Sequence, residues 1–210
     1  MRAHSIMHFT HVKNLPGILG AGCLRADSLV DRAAALKVEA ADLDVKSRRK
    51  LMRVGLEPYG CVADYVPFYF APRSPMLYKL AKGSVASYTD GQDPLIYLVS
   101  SAEAVAASGA SFMFSDGNCA SDMTRVSGDL TLLDSVVDWE VIRARMWANT
   151  ADDPDRMRRR MAEFLVHQEL PVECIGEIVV LSGTMKREVD GLLAAYGVDR
   201  LVLVRPGWYF

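Results

Sequence analysis

Short apolar, β-prone runs, spaced irregularly along the chain, constrain its fold more than any other feature. Residues 5–12 (SIMHFTHV), 64–71 (DYVPFYFA), 94–99 (PLIYLV), 111–115 (SFMFS), 163–166 (EFLV), 177–181 (EIVVL) and 200–204 (RLVLV) each read as a strand. Helical signals fall between some of them and not others. The lack of a regular strand–helix–strand beat argues against a doubly wound parallel sheet and for an α+β architecture.

The helical signals are local. Asn14 is placed to cap a short helix, with Pro16 in its first turn and Gly22 at its end. Ser74-Pro75 opens a helix that Gly83 closes. Ser100 followed by Glu103 predicts a capping box and a short Ala-rich helix. The long segment 116–160 begins with the turn signal Asp116-Gly117-Asn118 and holds one clear helix, starting near Asp138. A further helix spans about Thr184 to Tyr196. Residues 28–60, rich in Ala, Asp, Lys and Arg with weak periodicity, read as a helical or mobile excursion over the core. Pro67 lacks a backbone N–H, which argues for an edge strand or a bulge at 64–71.

At 210 residues the chain suits one domain spanning 1–210, and half its residues are hydrophobic, enough for a sizeable core. The net charge of -2 means that any contact with nucleic acid must use a local basic patch. Cys23, Cys61, Cys119 and Cys174 are far apart and form no CxxC pair, so no structural zinc or other metal is expected and the thiols read as free. Met1-Arg2-Ala3-His4-Ser5 has no apolar signal core, and no run of about 18 apolar residues exists. The expectation is a cytoplasmic protein without a membrane contact.

GxGxxG, Walker, GxSxG and HExxH motifs are absent, which lowers dehydrogenases, P-loop enzymes, serine hydrolases and zincins. His8 and Thr10 fall on one face of the first strand, where imidazole and hydroxyl could hold a ribose or a carboxamide, or could be a half-buried polar pair. Lys46, Arg48, Arg49, Lys50 and Arg53 form a cationic stretch suited to a pyrophosphate or DNA backbone, or to a solvated helix face. Glu163 heads an apolar strand, where burying a carboxylate is costly unless it is paired or functional. The arginines at 156 and 158–160 could neutralise it. Tyr65, Phe68, Tyr69, Phe70 and Tyr78, with Arg73, are either core or a surface that stacks bases.

Taken in order, HFTHVKNLPGIL, an arginine pair, DYVPFYFAPRSPMLY, PLIYLVSS, FSDGN, AEFLV and the terminal Gly207-Trp208-Tyr209 resemble the DarT toxins, DNA ADP-ribosyltransferases of bacterial toxin–antitoxin systems. The resemblance covers nearly the whole chain, although 28–60 matches only at the arginine pair. It implies an ADP-ribosyltransferase fold, a split, strongly bent sheet with NAD in its cleft and flanking helices. It assigns His8, Phe9 and Thr10 to the NAD-binding strand, and Gly17 and Arg25 to further NAD contacts, through backbone at Arg25. Arg49, next to Arg48, matches the catalytic arginine, and Glu163 the catalytic glutamate. The segment 116–163 corresponds to the substrate-presenting loop. Tyr69, Arg73, Asn118 and Arg125 are the candidate DNA contacts.

Cleaving the nicotinamide–ribose bond builds positive charge on the sugar, which a fixed carboxylate stabilises. The attacked ring N–H of thymine must lose its proton. The resemblance gives that task to Arg49, whereas a pKa above 12 suits arginine to polarising the base carbonyl while Glu163 takes the proton. The attacked edge is occupied in a duplex, so single-stranded DNA is the expected substrate. VPFYFAPRSPMLY favours the thymine-modifying branch. The alternatives are a guanine-directed enzyme, an RNA- or protein-directed transferase on the same fold, and an inert nucleic-acid-binding module. A macrodomain antitoxin that removes ADP-ribose from DNA is the implied partner.

Overall fold

The computed structural model describes residues 4–30 and 37–210. The part of the 28–60 excursion at 31–36, and the first three residues of the N-terminal reading, lie outside the described residues. The elements are β1 (Ser5–His11), α1 (Leu15–Ala21), β2 (Cys23–Arg25), α2 (Leu43–Leu51), β3 (Tyr65–Tyr69), α3 (Pro75–Ala81), β4 (Leu95–Ser101), α4 (Ala102–Ala107) and β5 (Phe112–Ser115). They continue with β6 (Val126–Ser127), α5 (Leu133–Val136), α6 (Trp139–Arg143), α7 (Arg156–Arg160), β7 (Glu163–His167), β8 (Glu169–Pro171), β9 (Glu177–Val180), α8 (Gly183–Ala195) and β10 (Leu201–Val204).

Eight strands form one sheet in the order β10-β9-β4-β1-β3-β7-β5-β6, antiparallel except for the parallel β9–β10 pair joined through α8. β2 and β8 make a separate ribbon. The α+β expectation is met. The larger core cluster packs Val66, Phe68, Phe70, Ile96, Leu98 and Phe164 with Leu15, Leu19, Val189 and Leu193 from α1 and α8. A second cluster on the other face holds Met7, Leu77, Leu80, Tyr97, Val179 and Tyr209.

The sheet is split between β1 and β3. β1 pairs with β4 along its whole length, from Ser5↔Ser101 to His11↔Leu95, but meets β3 only at Met7↔Tyr69. Pro67 explains the split. The Pro67 carbonyl points toward β1, where it accepts a hydrogen bond from the His8 ring at 2.8 Å. In a strand a residue's N and O point to the same side, so the missing N–H of Pro67 also faces β1. β3 is therefore an interior strand that behaves as an edge on one side only. No bulge is needed, because Pro67 stays in register with Leu165 of β7.

Several local expectations need correction. Asn14 sits at the N-terminal position of α1, but its side chain does not cap the helix. It faces inward, donating to Thr10 Oγ1 and the Val38 carbonyl and accepting from the amides of Lys37 and Val38. Ser100 stays in β4, paired with Ile6, and its hydroxyl donates to the Cys174 carbonyl. Ser101 caps α4 instead, and Glu103 turns away to the amide and ring of His4. The segment 116–160 holds three short α-helices and a 3-10 turn at Leu130–Leu132 rather than one helix, although Asp138 does cap α6 by accepting from the Val141 amide. β2, β6 and β8, two or three residues long, are too short to leave a periodicity. Among the described residues no helix is long and apolar enough to cross a membrane, and no group of three or more His, Cys, Asp or Glu could hold a metal ion.

Candidate active site

The split in the sheet opens a cleft. β1 supplies its floor with His8, Phe9 and Thr10, and α1 one wall with Gly17. Residues 38–42 and α2 form the roof, and the ends of β3 and β7 supply Tyr69 and Glu163. Asn14, buried at 4 % exposure, ties the strap at 37–38 down onto β1.

α2 begins at Asp42, whose carboxylate accepts from the amides of Asp44 and Val45. Residues three apart on a helix share a face, so Lys46 and Arg49 both turn into the cleft while Arg48, Lys50 and Arg53 stay exposed. Two of the five cations are thus structural and three are solvated. Lys46, almost fully buried, pairs with both Asp27 and Glu39. Arg49 Nη1 donates to Glu163 Oε1 at 2.7 Å. This pairing places Arg49, not Arg48, against the glutamate.

Glu163 is the first residue of β7, directly opposite Tyr69 of β3, and 3 % exposed. Its carboxylate is held from two sides, by Arg49 and by the Cys119 amide, which donates to Oε2 at 3.1 Å. Its own backbone is fixed too. The Glu163 amide donates to Ser115 Oγ at 2.9 Å, and Ser115 Oγ donates to the Gly117 carbonyl at 2.7 Å. Ser115, Gly117 and Cys119 therefore form a rigid cradle around the carboxylate. The sequence marked a turn at Asp116-Gly117-Asn118 but not its hold on Glu163, because the cradle is made of backbone groups and one small hydroxyl.

The electrostatics follow from burial. Burial opposes the charge on Arg49, but the Glu163 carboxylate more than offsets it, and the pKa of the guanidinium lies above its ordinary value. Arg49 Nη2 is buried without a hydrogen-bond partner. Burial pushes the Tyr69 hydroxyl well up, with the nearby Glu163 adding to it, and burial likewise raises the Cys119 thiol. Burial lowers the pKa of His8 despite its bond to Pro67. A carbonyl can only accept, so His8 Nδ1 carries the hydrogen and Nε2 is left as an acceptor. Thr10 Oγ1 accepts from Asn14, which leaves its hydroxyl hydrogen free to donate. His8 and Thr10 thus offer one acceptor and one donor side by side.

The cleft gathers His8, Phe9, Thr10, Gly17, Arg25, Arg49, Tyr69 and Glu163. Arg25, on β2, reaches Glu169 at 3.4 Å and is partly exposed. The other three DNA candidates lie outside it. Arg73 adopts a left-handed backbone (φ 57°) and stacks its guanidinium 4.6 Å over the Phe210 ring. Asn118 accepts from the Ala120 amide just before the cradle residue Cys119, and Arg125 is exposed with its amide on Asp116. The arginines at 156 and 158–160 do not neutralise Glu163. Arg156 pairs with Asp153, Arg158 with Asp116 and Asp155, and Arg159 with Asp138 and Asp153. Asp27 and Glu39, the acids that hold Lys46, carried no signal in the sequence, and Asn14 was read there only as a helix cap.

A profile of the family described as ssDNA thymidine ADP-ribosyltransferase, DarT, matches residues 7–210. A DNA ADP-ribosyl transferase of Mycobacterium tuberculosis is 36 % identical over 208 residues, which cover 98 % of this chain and 88 % of that one. Among solved structures, Thermus sp. 2.9 DarT in complex with ADP-ribosylated ssDNA matches with a TM-score of 0.93 at 36 % identity, covering 99 % of this chain and 97 % of that one. The same protein in complex with NAD+ matches at 0.89 and 34 %, covering 100 % and 99 %. A cleft that opens where Pro67 parts the sheet, with a buried Arg49–Glu163 pair in its wall, is thus carried on a fold shared over almost the full chain, and the protein belongs to the DarT family of NAD-dependent ssDNA thymidine ADP-ribosyltransferases.

Proposed function

We propose that Glu163 and Arg49 form the reaction centre for transfer of ADP-ribose from NAD to thymidine in single-stranded DNA, with release of nicotinamide. The observation that carries this assignment is the buried 2.7 Å ion pair between them in the wall of the cleft. His8, Phe9, Thr10, Gly17 and Arg25 are the residues that would hold NAD. The cleft suits it, since the His8 acceptor and the Thr10 donor match a carboxamide or a ribose edge, and the unpartnered Arg49 Nη2 awaits an acceptor.

NAD supplies a glycosidic bond whose cleavage leaves positive charge on the ribose. Glu163 stabilises that charge. Arg49 and the Cys119 amide fix its carboxylate in advance, so no reorganisation is needed as the charge develops. Arg49, its charge reinforced by Glu163, does not give up a proton at neutral pH. It orients the base carbonyl through Nη2, and the acceptor's proton passes to Glu163. Tyr69, half-buried opposite Glu163 and stacked at 12° on Phe9, closes the cleft as an aromatic wall.

The resulting adduct would block replication, which makes the protein a toxin. A macrodomain antitoxin that removes ADP-ribose from DNA would be its partner, in the cytoplasm where DNA and NAD meet. The test is mass spectrometry of short single-stranded oligonucleotides incubated with the protein and NAD. A gain of one ADP-ribose on thymidine-containing strands alone supports the assignment. Modification of guanine, RNA or protein instead would reject it.

A further inference from the structure

The helix that carries Arg49 has no apolar face with which to dock. A surface helix ordinarily sits on the core through a stripe of apolar side chains. α2 has three apolar residues, and of these Leu43 and Leu51 are exposed and Val45 is half-buried. The one buried residue of α2 is Lys46. The ends of the helix are tied by the chain. At its start Asp42 reaches the exposed Lys79 at 3.5 Å, a pair that adds little. After its last turn the Met52 carbonyl accepts from the Val62 amide. Between these ends, among the described residues, the side chains of α2 bonded to the rest of the protein are Lys46 and Arg49. Both lie on one face, about 4.5 Å apart along the helix axis. The roll of α2 about its own axis is therefore set by two polar anchors.

The Lys46 anchor is fixed from two sides. Asp27 follows β2, and the amides around it pin it to the body of the protein. The Ala26 amide donates to the Gln168 carbonyl at 2.7 Å, and the Ser28 amide to the Ala63 carbonyl at 3.1 Å. Glu39 stands on the strap that Asn14 holds at Lys37 and Val38. The Lys46 ammonium lies between the two acids, 2.5 Å from Asp27 Oδ1 and hydrogen-bonded to Glu39 Oε2. An ammonium has three donors, and the protein itself takes two of them. With two carboxylates around one cation the local charge is negative, so a pyrophosphate gains nothing there. Lys46 is suited to hold the helix rather than NAD.

We propose that Lys46 is a positioning residue for Arg49. Its bonds to Asp27 and Glu39 fix the roll of α2, which presents Arg49 Nη1 to Glu163 and turns Nη2 toward the acceptor base. Without Lys46 the charge of Arg49 still draws it to Glu163, but the helix above is free to roll and Nη2 is no longer aimed. A displacement of about 1 Å in a group that orients a reacting atom costs about a hundredfold in rate. The strap keeps Asn14 as its own anchor, so the loss falls on turnover more than on NAD binding. This rests on Arg49 and Glu163 being the reaction centre.

The test compares steady-state DNA modification by the full chain and its variants. Lys46→Met keeps the reach of the side chain and removes its charge. Its kcat should fall at least about tenfold while its KM for NAD stays within about threefold, a split that a general loss of stability would not produce. A charge swap separates the latch from the fold. Lys46→Glu and Glu39→Lys should each lower kcat, and the variant carrying both should return to within about threefold of the unsubstituted protein, because helix and strap again carry opposite charges. A smaller fall in kcat for Lys46→Met, or a raised KM for NAD with kcat retained, overturns the assignment and leaves the reaction centre in place. If Lys46→Met does not fold, the swap decides, and a double variant no more active than either single one overturns the assignment. Full turnover in Arg49→Ala and Glu163→Gln overturns the reaction centre, and the latch with it.

Discussion

Glu163 shows why the site depends on pairing. A carboxylate 3 % exposed would cost several kcal/mol if isolated, and Arg49 with the Cys119 amide makes it tenable. Glu163→Gln preserves shape and should fold normally but lose at least about a hundredfold in the rate of DNA modification. Arg49→Ala leaves the carboxylate buried and unpaired, so it should both abolish NAD use and destabilise the protein by about 3–5 kcal/mol. Arg48→Ala, at an exposed position, should do neither. Turnover with NAD and thermal melts of the three variants check this, and near-normal turnover in Glu163→Gln rejects its role. His8 gives a pH signature. Its folded pKa lies below that of the unfolded chain, near 6.5, because burial disfavours the charge. As pH falls below about 6.5 the unfolded state takes up a proton that the folded state refuses, so stability is complete above that pH and is lost below it. The melting temperature of the wild type should therefore drop more between pH 7 and pH 5 than that of His8→Asn. Equal drops would show that His8 is not held neutral.

At the scale of elements, the site is made by the ends of strands and by two loops that hold them. The cradle at 115–119 orients Glu163 only while Gly117 lacks a side chain. A Cβ there would press on Arg158, whose guanidinium joins Asp116 to Asp155. Gly117→Ala should displace that arginine, shift the Cys119 amide off Glu163 and lower kcat about tenfold or more with little change in KM for NAD. A raised KM for NAD with kcat retained would contradict this. The strap at 37–38 depends likewise on Asn14. Asn14→Ala strips two amides and a carbonyl of their partner, so the roof of the cleft loosens. KM for NAD should rise about tenfold while the melting temperature falls, and faster hydrogen exchange confined to residues 37–42 would locate the effect. Asn14 was legible as a polar residue at a helix start. That it faces inward was not, because the strap it holds, Lys37 and Val38, lies more than twenty residues away.

For the whole molecule, the net charge of -2 hides how the cations are used. Aspartates absorb Arg156, Arg158 and Arg159, and Arg160 is buried with no ion-pair partner among the described residues. The edge of thymine that is attacked is paired in a duplex, so modification should be strong on a single-stranded oligonucleotide and at least about tenfold weaker on the same strand annealed to its complement, since extruding a base costs a few kcal/mol. Equal adduct mass on both forms would reject this. Sequence alone determined the class of fold, most of the longer strands and α8, because hydrophobic periodicity is a property of neighbouring residues. It also marked His8, Arg49 and Glu163 through the family they resemble. Only the tertiary structure decided that Pro67 parts the sheet rather than edging it, that Arg49 and not the 156–160 cluster neutralises Glu163, and that Lys46 is buried between two acids. The first two join groups far apart in the chain, and burial, which sets the strength of all such pairs, exists only once the strands are packed.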